Sequence, residues 1–104
     1  MRDVTRRICE AFFAGRTLRI KNTSTDGEVI RLHNSIIAKK TRDGVEVTLA
    51  GFNTTTTRER VNGLYQLLTG RRPFHSKNFE PHFDDKPIST LDWFLVEHNT
   101  QRKE

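Results

Sequence analysis

Four consecutive threonines stand before two arginines in the stretch Gly51-Phe52-Asn53-Thr54-Thr55-Thr56-Thr57-Arg58-Glu59-Arg60-Val61-Asn62. Thr56 with Glu59 three residues on matches a capping box, which opens a helix. A helix start presents free N–H groups and a partial positive charge, so it can receive a phosphate or carboxylate. Thr55, Thr56 and Thr57 supply hydroxyls for such an anion site, and Arg58 can close it. The simpler alternative is that Thr56 only caps, the other threonines finish a strand and the arginines are solvated. No Gly-x-x-x-x-Gly-Lys occurs, which excludes a nucleotide P-loop.

A second set of residues is basic. Lys39, Lys40 and Arg42 fall at a hairpin tip, and Arg58 and Arg60 at the second helix. Together they form the expected nucleic-acid-binding set, acting on backbone phosphates with weak sequence specificity. Arg19, Lys21 and Arg31 lie on the first two strands. Arg19 and Lys21 alternate with Leu18 and Ile20, so these charges share an outer sheet face. The first four strands carry no aromatic for base stacking. The chain holds 18 Lys and Arg against 13 Asp and Glu. Residues 1–72 carry +7 and residues 73–104 carry −2, a basic body joined to an acidic tail. Ordinary solubilising charge would give a similar total.

Other constellations carry less chemistry. His75, His82, Asp84 and Asp85 could ligate a divalent metal, but His-x6-His-x-Asp-Asp has no established ligand spacing. No metal or cofactor is expected. The one cysteine, Cys9, excludes an internal disulfide and reads as a packed thiol between Ile8 and Phe12. No serine sits in a nucleophile elbow, and nothing selects a carboxylate pair, so no catalytic residue and no enzyme activity are expected. Phe74, Phe79, Phe83, Trp93 and Phe94 are interspersed with Glu80, Asp84, Asp85, Asp92 and Glu97. Such a segment can complete a core or dock on a partner protein.

The elements that must position these residues are those of one small α+β domain spanning residues 1–104. Val4, Ile8, Ala11 and Phe12 predict a helix over Asp3 to Ala14, capped by Asp3 and stopped by Gly15. A four-stranded antiparallel meander follows: residues 17–22, 28–33, 35–40 and 45–50, curled towards a barrel. Residues 23–27 and 41–44 are read as turns, and Asn34 as a bend. The second helix is expected over Thr57 to Thr69, with Val61, Leu64, Tyr65 and Leu68 inward and Gly70 as stop. Residues 71–90 hold all three prolines and read as an irregular loop, and residues 91–99 as one short strand or helix. The last five residues are expected to fray. Apolar residues make up 34% of the chain, so the core must be small.

The pattern Gly-aromatic-x-Thr-x-Thr-Thr-Arg-x-Arg-Val-Asn, after a hairpin, resembles a motif of small bacteriophage-encoded proteins of unknown function. The resemblance covers about Ser35 to Leu67 and brings no catalytic residues. It implies a phage accessory protein; the basic residues lead to the expectation that it acts by binding, in the cytoplasm of the host cell. The leading partner is nucleic acid. The alternative is a non-enzymatic inhibitor or modulator of a host protein, such as a polymerase or defence component. The N-terminus carries Asp3 and Glu10 and lacks a true apolar signal core, so neither a signal peptide nor a membrane partner is expected.

Overall fold

The computed structural model describes residues 1–96. The chain is α+β, with two helices and two antiparallel sheets. Helix α1 spans Asp3–Phe13 and buries Thr5, Ile8, Cys9, Ala11 and Phe12. Arg2, not Asp3, takes the N-cap position, with no side-chain cap. Asp3 lies in the first turn instead, where it pairs with Arg6 at 2.7 Å and complements the helix dipole. The C-terminus closes as the residues foretell. Gly15 adopts φ +73°, its N–H donates to Phe12 O, and the Arg16 N–H donates to Ala11 O. That pair of hydrogen bonds is a Schellman stop.

The larger sheet has six strands: β1 (Leu18–Ile20), β2 (Thr23–Thr25), β3 (Val29–Leu32), β4 (Ser35–Thr41), β5 (Gly44–Thr48) and a late strand, Trp93–Val96. The expected meander of four is therefore a meander of five. Residues 23–25, read as a turn, form β2, because Thr25 pairs with both Leu18 and Ile30. The actual turn is at Lys21 and Asn22, where Lys21 is left-handed. His33 and Asn34, both at positive φ, form the next two-residue turn, as a type I′ connection requires. The last strand of the sheet pairs only with β5, and β1 only with β2, so among the described residues the sheet keeps two open edges. It does not curl into a closed barrel.

One irregularity shapes the core. Ile30 pairs with Ala38, but Arg31 pairs with Ile36, leaving Ile37 as an extra residue in β4. The bulge turns Ile37 and Ala38 both inward, and both are buried. A strictly alternating strand would have exposed one of them.

Helix α2 spans Thr55–Thr69 and ends at Gly70 in the left-handed conformation. Its N-cap is Thr54, whose Oγ1 accepts from the Thr57 N–H at 3.1 Å. The expected Thr56–Glu59 capping box does not form, because Glu59 is used elsewhere. Residues 71–90 are not an irregular loop. They fold as a small sheet of β6 (Phe74–Lys77), β7 (Glu80–Phe83) and β8 (Lys86–Pro87), turned at Asn78 and Phe79. Asn62 anchors it to α2. Its side chain donates to Phe74 O at 2.7 Å and accepts from Phe74 N at 2.8 Å, standing in for a neighbouring strand.

Strand β9 (Trp93–Val96) is the late strand of the larger sheet, antiparallel to β5. The expected element at 91–99 is thus a strand where it is described; residues 97–99 and the fraying expected of the last five lie outside the described residues. Both helices pack on one face of the larger sheet, over Ile30, Leu32, Ile37, Ala38, Val45 and Val47. The tail aromatics divide. Phe74, Phe83 and Phe94 pack edge-on or stacked around Tyr65 with centroids 4.9–5.7 Å apart, completing the core. Phe79 is 97% exposed and Trp93 42%.

Candidate nucleic-acid interface

The residues expected to bind nucleic acid are not gathered in one place. Lys39 and Lys40 leave opposite faces of β4. The Lys39 ammonium lies 4.3 Å from the Trp93 ring centroid and 3.8 Å from Glu46 Oε1. The Lys40 ammonium lies over Phe12 of α1, on the helix side. Arg42 is exposed in the β4–β5 turn. Arg58 folds back over the helix start, donating to Asn53 Oδ1 at 2.5 Å and Asn53 O at 3.1 Å.

Arg60 does not face solvent. It is 7% exposed and donates to Thr23 Oγ1 at 3.1 Å, Thr5 Oγ1 at 2.8 Å and Glu59 Oε1 at 2.9 Å. Glu59 also accepts from the Arg2 N–H and the Thr5 hydroxyl. Burial pushes the Glu59 carboxyl up, but the donors from Arg2, Thr5 and Arg60 together outweigh it, and its pKa falls below the usual value. This cluster ties α1, α2 and β2 together. A reading of Arg60 as a phosphate ligand misses the partners because Thr5 and Thr23 are far away in sequence.

The threonine helix start is largely committed within the protein. Thr57 is buried and shares a 2.8 Å hydroxyl hydrogen bond with Thr54. Thr55 accepts from Arg58 at 3.4 Å. Thr54 and Thr56 line a cavity of about 310 Å³ together with Leu32, His33, Ile37 and Phe52. Its walls are mostly carbon, which is not the lining a phosphate requires.

His75 and His82 meet as cross-strand neighbours with rings stacked at 5.4 Å. The Asp84 carboxylate is instead engaged by Arg71. Among the described residues no three His, Cys, Asp or Glu side chains converge on a possible metal position. Cys9 is buried, and burial above all pushes its thiol up to about 12. Such a thiol is packing, not a nucleophile.

The open face of the larger sheet holds a more coherent arrangement. Alternation places Arg19, Ser24 and Arg31 side by side across β1, β2 and β3, through the pairs Arg19–Ser24 and Ser24–Arg31. The two guanidinium-bearing strands are two spacings apart, about 10 Å, with a serine hydroxyl between them. They border a cleft of about 210 Å³ with Asp26 and Val29. The Asp26 carboxylate is occupied by the N–H groups of Glu28 and Val29, which hold its pKa below the usual range. Among the described residues neither Arg19 nor Arg31 has an acidic partner within ion-pair distance. Further along the same face follow Lys39, Glu46, Leu95 and Trp93. The sequence showed the outward side of Arg19 by its alternation with Leu18 and Ile20, but placed Lys21 on the same face, where the structure puts Lys21 in the β1–β2 turn. It could not show that a strand some 45 residues after β5 would bring an indole to the same face.

A family model described as the Kyanoviridae Gp96 protein matches residues 1–101. The chain belongs to this family. It is a small phage-encoded protein, and the match spans the N-terminal helix and tail that the motif resemblance left out. No curated protein and no solved structure matches the chain. No described helix of this Gp96 family member is long and apolar enough to cross a membrane.

Proposed function

We propose that this phage accessory protein acts by binding, without catalysis, and that its partner is nucleic acid held through backbone phosphates. The observation that supports this is that Arg19 and Arg31 flank Ser24 on a sheet face that no described helix covers and, among the described residues, have no acidic group within ion-pair distance, although the Asp26 carboxylate of the same cleft senses the Arg31 charge. Guanidinium groups offer forked donors that match phosphate oxygens, and a hydroxyl between them adds a third donor group. Lys39 and Arg42 extend the positive surface; Arg60, being buried, does not belong to it.

The test is binding of a labelled oligonucleotide across a salt series. Each lost phosphate contact lowers the slope of log affinity against log salt by about 0.7 on single strands. Arg19→Ala with Arg31→Ala should therefore lower it by about 1.4. Arg6→Ala with Arg7→Ala, on α1 behind the sheet, should leave it unchanged. If the wild-type protein has no affinity for single- or double-stranded nucleic acid at low salt, the proposal is wrong. A second reading, docking on a host protein, is supported by Phe79, which stands 97% exposed at the β6–β7 turn beside Glu80.

A further inference from the structure

The open face differs at its two ends. Arg19 and Arg31 occupy the β1–β3 end, and Trp93 with Leu95 the β9 edge. Strands β1 and β9 are five spacings apart, about 24 Å. Lys39 lies between, its ammonium on one side of the indole, and Trp93 still keeps 42% of its surface exposed. A part-exposed tryptophan next to a cation, on the same face as two arginines, combines the two parts of a single-strand binding face. Charge follows the backbone, and a flat ring accepts an unpaired base of any identity. Inside a duplex every base is stacked on both faces, so only its open ends could offer a base face to that ring. The positive charge at one end makes the face complementary to a polyanion, and the exposed ring makes it complementary to unpaired bases.

Resting on the phosphate-binding reading above, we infer that the open sheet face takes single-stranded nucleic acid, with phosphates at Arg19 and Arg31 and a base stacked on Trp93. The span of about 24 Å corresponds to about seven nucleotides at the stacked rise of 3.4 Å, and fewer when the strand is extended. Among the described residues Lys39 is held by the ring and by Glu46, both half-exposed contacts. Its ammonium is therefore free to turn to the phosphate of the stacked nucleotide.

The chain has one tryptophan, so indole emission reports on this face directly. The experiment titrates the full chain at low salt with an oligothymidine of about 12 nucleotides, longer than the face. A duplex of matching charge, closed at both ends by abasic linkers, serves as comparison. Oligothymidine should quench the emission and bind more tightly than the duplex. Binding of a labelled strand should fall by about 5-fold to about 150-fold for Trp93→Leu and be largely kept by Trp93→Phe. Thermal melting of both variants separates lost stacking from lost folding. Salt-dependent binding that leaves the emission unchanged and is indifferent to Trp93→Leu overturns the stacking inference while the phosphate reading stands. No binding to strand or duplex overturns both, and leaves docking on a host protein as the reading to pursue.

Discussion

Replacing Arg60 by methionine keeps most of the side-chain length but removes three donated hydrogen bonds, to Thr5, Thr23 and Glu59. The Glu59 carboxylate, 12% exposed, is left without its counter-charge. Removing one member of a buried pair costs about 3–5 kcal/mol. Glu59 keeps the Arg2 N–H and the Thr5 hydroxyl, so the low end applies, about 3 kcal/mol. In a domain of this size that lowers Tm by roughly 12–20 °C. Urea unfolding at neutral pH, with the slope m checked for constancy, measures the loss. The pair also makes an acid-side prediction. The folded-state pKa of Glu59 lies below its ordinary value of 4.5. Its contribution is therefore fully present above that value and is lost as pH falls through the lower folded value. Glu59→Gln should flatten this part of the stability profile. A cycle combining Glu59→Gln with Arg60→Met should show coupling of about 1 kcal/mol or more. A loss under about 1 kcal/mol for Arg60→Met, with no coupling, would refute the argument that this cluster ties α1 to α2.

Three further outcomes follow from the packing. Gly63→Ala should destabilise by about 1–3 kcal/mol in urea, although alanine favours helix by about 1 kcal/mol, because its Cβ would fall 2.2 Å from Thr5 Cγ2 where α1 meets α2. Thr54→Ala should cost about 1 kcal/mol by losing the cap of α2, while Thr56→Ala should stay within about 0.5 kcal/mol; equal losses would contradict the assigned cap. Cys9, with its thiol pushed up to about 12 by burial, should react with a disulfide reagent at neutral pH only as fast as the protein opens. Immediate stoichiometric reaction would show that α1 does not pack as described.

Local chemistry made some parts of this chain readable. The glycine stops of both helices, the inward Ile8 and Phe12, and the alternating Val45 and Val47 each depend on neighbours within a turn or two. The hidden parts had partners far along the chain. Thr23–Thr25 has no apolar residue to mark it as a strand, and it is one because β1 and β3 supply hydrogen bonds on both sides. The small sheet of β6, β7 and β8 carries His, Ser, Lys and Pro where a strand signal would need Val or Ile. It is held by the aromatic cluster and by Asn62.

The candidate site divides along the same line. Composition and alternation determined a basic body and the outward side of Arg19, since a strand's two faces follow from its period of two residues; Lys21, expected beside it, falls in the turn instead. Only the tertiary structure decided which cations remain in solvent. It buried Arg60 against Thr5 and Thr23, folded Arg58 onto Asn53, and brought Trp93 beside Lys39 by pairing β9 with β5. The burial of Arg60 and the placing of Trp93 come from contacts between residues about 40 to 55 positions apart, whose energies depend on burial and strand register that no short window of sequence contains; the Arg58–Asn53 contact is local, five positions long.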